Sequence, residues 1–137
     1  MIGSYNPFNI RYNHANHWIG QCMNPQTKGF VNFKALEYGV RAVCIIILRS
    51  YRAKGIFTIQ DVISRFAPKS ENDTMRYIGF VCSCIGSFPF DIPQNVDEYC
   101  NFLSAMSQFE GNKVEPSFIK HVIDKYHIKP LCLRKKD

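Results

Sequence analysis

The sequence predicts a mainly helical fold, fronted by an aromatic loop region that holds a short strand or two. Three observations carry the prediction. From about residue 34 onward, apolar side chains recur at the three- and four-residue spacing of amphipathic helices. Helix start and stop residues fall in register with those stripes. Before them, Asn, Gly, Pro and His crowd positions 3 to 29, with Tyr5, Phe8, Tyr12 and Trp18 between them, a composition that breaks regular structure yet is too aromatic for a disordered leader. At 137 residues the chain has the size of one ordinary domain, so residues 1–137 are read as a single domain with its own core.

Each element follows from local chemistry. A short strand is expected around Gly29 to Phe33. From Lys34 to Lys54, apolar residues recur at 36, 40, 43, 44, 47, 48 and 51, which predicts a long, central buried helix closed by Gly55. Thr58 with Asp61 three residues later resembles a capping box and starts a short helix that Pro68 stops. Ser70 with Asp73 caps the next helix, through "MRYIGFVCSCI" to Gly86, and "FPFDIP" after it is a Pro-rich turn. Asn95 with Glu98 caps a fourth helix ending at Glu110, with Gly111 as its left-handed terminator. Pro116 opens a fifth helix through about Lys125.

Seventeen Lys and Arg against eleven Asp and Glu leave a net charge of +6, which favours an anionic partner such as nucleic acid, a membrane surface or an acidic wall polymer. The basic run at residues 133–137 reads as a solvated tail. Nucleic acid ranks low, because the helices show no basic face and the aromatics are not interleaved with Lys or Arg. The greasy run Val40 to Leu48 is interrupted by Arg41 and too short to span a bilayer. No secretory signal is visible at the start, so synthesis in the cytoplasm is expected. The six cysteines sit mostly among apolar neighbours inside predicted helices, as small buried hydrophobes rather than a disulfide framework. Cys82 and Cys84 lack a matching pair, and His14 and His17 lack an HExxH context. Neither a metal nor another cofactor is expected.

The residue that stands out is Glu110. Steps of four, three and four lead back from it to Met106, Leu103 and Tyr99, so a carboxylate ends an apolar stripe. Partial burial and the negative end of the helix dipole both disfavour its charged form, which suits a general acid for glycosidic-bond cleavage. The plainer alternative is a solvated residue at a frayed helix end. Glu37 is the rival acid, but at a helix start the dipole stabilises its charge and makes it a poorer proton donor.

Three stretches, "NPFNIRYNHANHWIGQ", "GFVNFKALEYGVRA" and "VISRFAPKSENDTMRYI", resemble a family of small phage and prophage proteins usually labelled virion structural proteins, some as lysis proteins. The family pattern has Asn-Pro-Gly-Asn-Ile-Arg, Gly-Phe-x-x-Phe, Trp-Ala-Pro-x-x-Glu-Asn-Asp-Thr and a late Glu-Asn-Gly. This chain departs from it with Phe8 for Gly, Phe66 for Trp, and Gly111 and Asn112 in reversed order. The chain is also similar, in rearranged order, to lysozyme-like glucosaminidases and lytic transglycosylases, which place a Glu at a helix end before an Asn-rich segment, a Trp-x-Gly and a long helix. The resemblance implies a single lysozyme-like helical domain, circularly permuted, with Glu110 as the acid. Permutation requires that the N-terminal loops and the end of the fourth helix meet in space.

On that reading Trp18 is either an aromatic platform for a sugar or a plug holding its loop to the core. Asn9 and Arg11 orient substrate, or serve as a turn residue and a structural partner. Asn72, Asp73 and Thr74 start a helix, or that start borders the groove with Tyr77 one turn in, its hydroxyl positioning a sugar or water. The function expected is cleavage of the glycan strand of bacterial peptidoglycan by a phage-associated enzyme at the cell wall, in company with other virion proteins. The alternatives are a non-enzymatic virion or wall-binding protein and, third, a nucleic-acid-binding protein.

Overall fold

The computed structural model describes residues 1–68 and 73–132. Strand β1 (Gln21–Thr27) and strand β2 (Phe30–Phe33) form an antiparallel hairpin, pairing Gln21 with Phe33 and Thr27 with Phe30 and irregular between Gln21 and Gln26. Its two-residue connection, Lys28 and Gly29, has φ of 51° and 86°, both positive as the tightest hairpin turn requires. The sequence signal was strongest for β2. β1 carries Asn24 and Pro25, which hide a strand from propensity arguments.

Helix α1 (Leu36–Cys44) passes without a break into a π-helical segment, Ile45–Tyr51. Helices α2 (Ile59–Phe66), α3 (Thr74–Ile85), α4 (Val96–Phe109) and α5 (Pro116–Lys125) follow. The expected caps form at α2 and α4: the Thr58 hydroxyl accepts from Asp61 N at 3.2 Å and the Asn95 amide from Glu98 N at 2.9 Å. For α3 the cap is Asp73, whose carboxylate accepts from Arg76 N at 3.2 Å. Ser70, expected in that place, lies outside the described residues, as does the basic tail. Gly86 and Gly111 close α3 and α4 with positive φ.

The expected central helix was α1. With its π-helical continuation it buries Val40, Val43, Ile47 and Leu48 completely, but α4 carries an unbroken buried run from Phe102 to Ser107, between exposed Asn101 and Gln108. Helix α4 packs against α3 on one flank and α5 on the other, while α1 packs against α5 and β2. Polar Ser104 and Ser107 are tolerated there because Ser107 Oγ donates to the Ser104 carbonyl at 2.7 Å and accepts from Val114 N at 2.8 Å. Cys44, Cys82 and Cys100 are buried and Cys84 exposed, so Cys82 and Cys84 diverge on their helix. No helix among the described residues is long and apolar enough to cross a membrane.

The N-terminal region is ordered by side chains rather than by secondary structure. Asn6 is completely buried; its amide donates to the carbonyls of Ile10 and Val31 at 2.9 and 3.0 Å, and its oxygen accepts from Ile10 N at 2.9 Å. Asn32 does similar work from β2, accepting from Ser4 N at 2.8 Å and donating to the Asn24 carbonyl at 3.0 Å. Gly39 lets the loop lie flat on α1, because a Cβ there would come within 2.1 Å of the Tyr5 carbonyl oxygen. Phe8 is fully buried in the core. The turn is made one residue later, by Asn9 at φ 53°.

Candidate active site around Glu110

The stripe predicted on α4 is real: Tyr99, Leu103 and Met106 are completely buried, and Glu110 caps the helix half-buried beyond them. The N-terminal loop and the end of α4 meet here. Asn9 Nδ2 donates to Glu110 Oε1 at 3.0 Å, joining residues 101 apart in the chain. Left-handed backbone at Asn9 turns its side chain toward α4, a conformation that Asn adopts more readily than most residues.

Tyr77 approaches the same carboxyl from inside. Its ring is fully buried and stacks on Phe109, centroids 4.2 Å apart. Its hydroxyl donates to the Met106 carbonyl at a long 3.4 Å and lies within reach of Glu110 as a second acceptor. Tyr77 therefore supports the glutamate rather than offering a face to a ligand, which corrects the expectation that it lines a groove. Thr74 is buried too, its hydroxyl donating to the Ala67 carbonyl at 2.7 Å, so it ties α3 to the end of α2. Asn72 lies outside the described residues.

Burial raises the Glu110 carboxyl above its ordinary range, and the hydrogen bonds from Asn9 and Tyr77 oppose that rise. Burial is the larger effect, so the acid keeps its proton to a higher pH than a free glutamate. Burial and the neighbouring Glu110 charge likewise push the Tyr77 hydroxyl well up, so it stays a donor. Glu37 is the opposite case: hydrogen bonds from Lys125 Nζ at 2.8 Å and the Tyr126 hydroxyl at 2.6 Å lower its carboxyl. It is held charged and is a poor source of protons.

Asn9 connects Glu110 to an open cleft of about 740 Å³. One wall is the loop from Asn9 to Trp18, with Arg11, Tyr12, Asn13 and Asn16; the other is Ile45, Ile46, Ser50, Tyr51 and Lys54 of the π-helical segment and its end, with Phe66 at one side. Trp18 is half-buried, packed on the core and lining the cleft. Arg11 is exposed, its guanidinium 4.6 Å from the centre of the Phe30 ring. Glu110 is not itself on the cleft wall. Asn9 Oδ1 is buried and has no hydrogen-bond partner, an acceptor left over beside the acid.

Of the residues expected at the site, the structure sets Asn9 against Glu110 and lines the adjacent cleft with Asn9, Arg11 and Trp18. Not foreseen were Asn6, which orders the loop behind them, and the π-helical wall, a form of helix enriched at functional sites. Among the described residues no three His, Cys, Asp or Glu side chains converge as metal ligands.

No protein-family model matches the chain. Among curated proteins, Protein P5 of Pseudoalteromonas phage PM2 is 36% identical over 109 residues, spanning 77% of this chain and 67% of the phage protein. That identity over that length shows common descent, and with it a phage protein: the chain belongs to the family of PM2 Protein P5.

Proposed function

We propose that this phage protein cuts the glycan strand of peptidoglycan at the bacterial cell wall, with Glu110 as the acid. The observation that carries the reading is the carboxyl itself: half-buried at a helix end, its pKa raised by burial, and held by Asn9 at the edge of a cleft of amides, aromatics and two cations. Glu110 gives its proton to the glycosidic oxygen as the bond to the anomeric carbon breaks. The resulting carboxylate then accepts a proton from the attacking oxygen, either a sugar hydroxyl, giving an anhydro end, or water, giving a reducing end. Asparagines in the cleft suit sugar hydroxyls and acetamido groups, Trp18 suits a sugar face, and Arg11 and Lys54 suit the carboxylates of the wall. A circularly permuted lysozyme-like arrangement fits the meeting of Asn9 with Glu110.

A second reading has an observation of its own. Both neighbours of the Glu110 carboxyl are this chain's own donors, and the group does not line the cleft, which suits a virion protein that keeps the site without turnover. The two separate on purified sacculi. Soluble muropeptides with anhydro or reducing ends, released by the parent and not by a folded Glu110→Gln variant, support cleavage. Silence from both, with the protein sedimenting with sacculi, supports a structural or wall-binding role.

A further inference from the structure

Along the chain the aromatic residues are not interleaved with Lys or Arg. Folding interleaves them. The cleft beside Asn9 takes Arg11, Tyr12 and Trp18 from the N-terminal loop, Tyr51 and Lys54 from the end of the π-helical segment and the turn after it, and Phe66 from the last turn of α2. Aromatic rings and cations that are far apart in the sequence therefore line one open surface.

That surface has one sign of charge. No Asp or Glu lines the cleft among the described residues, and Glu110 stands behind Asn9, off the wall. Arg11 and Lys54 are both exposed, and the Arg11 guanidinium is carried over the Phe30 ring, 4.6 Å from its centre. Burial raises the Tyr51 hydroxyl pKa and the charge of exposed Arg65 opposes that rise, which puts a third cation beside the cleft. A cleft lined by cations alone concentrates anions. Its rings are also anchored. Tyr12, Trp18 and Phe66 are half-buried and packed on the core, so a ligand has little ordering of side chains to offset.

Rings and cations together restrict the ligand. A bare anion such as inorganic phosphate would use the cations and leave the rings without a partner; an uncharged ring compound would do the reverse. A chain that alternates phosphates with flat, unpaired bases engages both, its phosphates on Arg11 and Lys54 and its bases against Tyr12, Trp18 and Phe66. We infer that the cleft beside Asn9 is a binding site for single-stranded nucleic acid with little sequence preference. This goes beyond the glycan reading. It uses the same cleft without the Glu110 carboxyl, so the two ligands compete for Trp18.

Trp18 is the one tryptophan of the chain, so its fluorescence reports on this cleft. Titration of the full chain at pH 7 with an oligothymidylate of about eight nucleotides should quench that fluorescence, with a dissociation constant of about 1–100 µM at low salt. Two phosphate contacts set the slope of log K against log salt near about −1.4; Arg11→Gln or Lys54→Gln, each removing one contact, should bring it to about −0.7 and weaken binding several-fold. An abasic strand of equal length and charge, added as competitor, should displace the oligothymidylate at least about tenfold less well, because it has no bases to stack. Both substituted side chains are exposed, and circular dichroism checks that the variants are folded. The inference is overturned if the oligothymidylate leaves the fluorescence unchanged up to about 1 mM. It is equally overturned if the abasic strand competes as well as the oligothymidylate itself, which reduces the contact to charge alone, or if both folded variants keep the parent's affinity and salt slope, which moves the contact to another surface. Muropeptide release enters none of these measurements, so this inference and the glycosidase proposal can each fail without the other.

Discussion

Replacing Asn9 by glycine isolates the contact that joins the N-terminal loop to the proposed acid. Glycine keeps the left-handed backbone at φ 53° without strain and removes the 3.0 Å bond to Glu110. A hydrogen bond to a charged group contributes about 1.5–3 kcal/mol; the carboxyl is only half-buried, so a loss near the lower end is expected at pH 8. The bond favours the charged form and lowers the Glu110 pKa, so its contribution is present above that pKa and is lost as pH falls through it. Asn9→Gly should therefore cost less at pH 4 than at pH 8. Asn9→Ala adds a left-handed alanine, about 1–2 kcal/mol more at either pH. Urea unfolding of parent, Asn9→Gly and Asn9→Ala at both pH values measures all of this. Equal losses for Asn9→Gly at the two pH values would refute the view that it holds an ionisable partner.

Three further outcomes are expected. Glu110 has its folded pKa raised above its unfolded value, so its ionisation penalises folding as pH rises from the ordinary carboxylate range through the raised one; Glu110→Gln should gain stability relative to the parent across that window, by no more than about 1.4 kcal/mol per pH unit, and match the parent's pH dependence outside it. Ser107→Ala strips the buried Val114 N–H of its 2.8 Å acceptor and should lower unfolding free energy by about 1–3 kcal/mol in urea titration. Gly39→Ala drives a Cβ to 2.1 Å from the Tyr5 carbonyl oxygen; the loop must lift, costing about 1–3 kcal/mol and speeding amide exchange at Asn6 and Asn9.

What the sequence determined by itself was whatever depends on near neighbours along the chain. The helix starts at Thr58, Asn95 and Pro116, the terminators at Gly86 and Gly111, and the apolar stripe through Tyr99, Leu103 and Met106 were legible because caps and periodicity act within a few residues. The anomaly at Glu110 was legible for the same reason, as a polar residue breaking a local pattern. Tertiary structure decided which helix is most deeply set: packing against α3 and α5 buries α4 from Phe102 to Ser107, while Asn101 and Gln108 stay exposed. It decided that Tyr77 works from within the core, since a tyrosine one turn into a helix reads alike whether the next helix covers it or solvent does. It also turned Ile45–Tyr51 into a π-helix, a change of winding with no residue signature, and it set Asn9 against Glu110. That last contact links positions 101 residues apart, a distance at which no local rule operates and only the shared burial of loop and helix brings two side chains together.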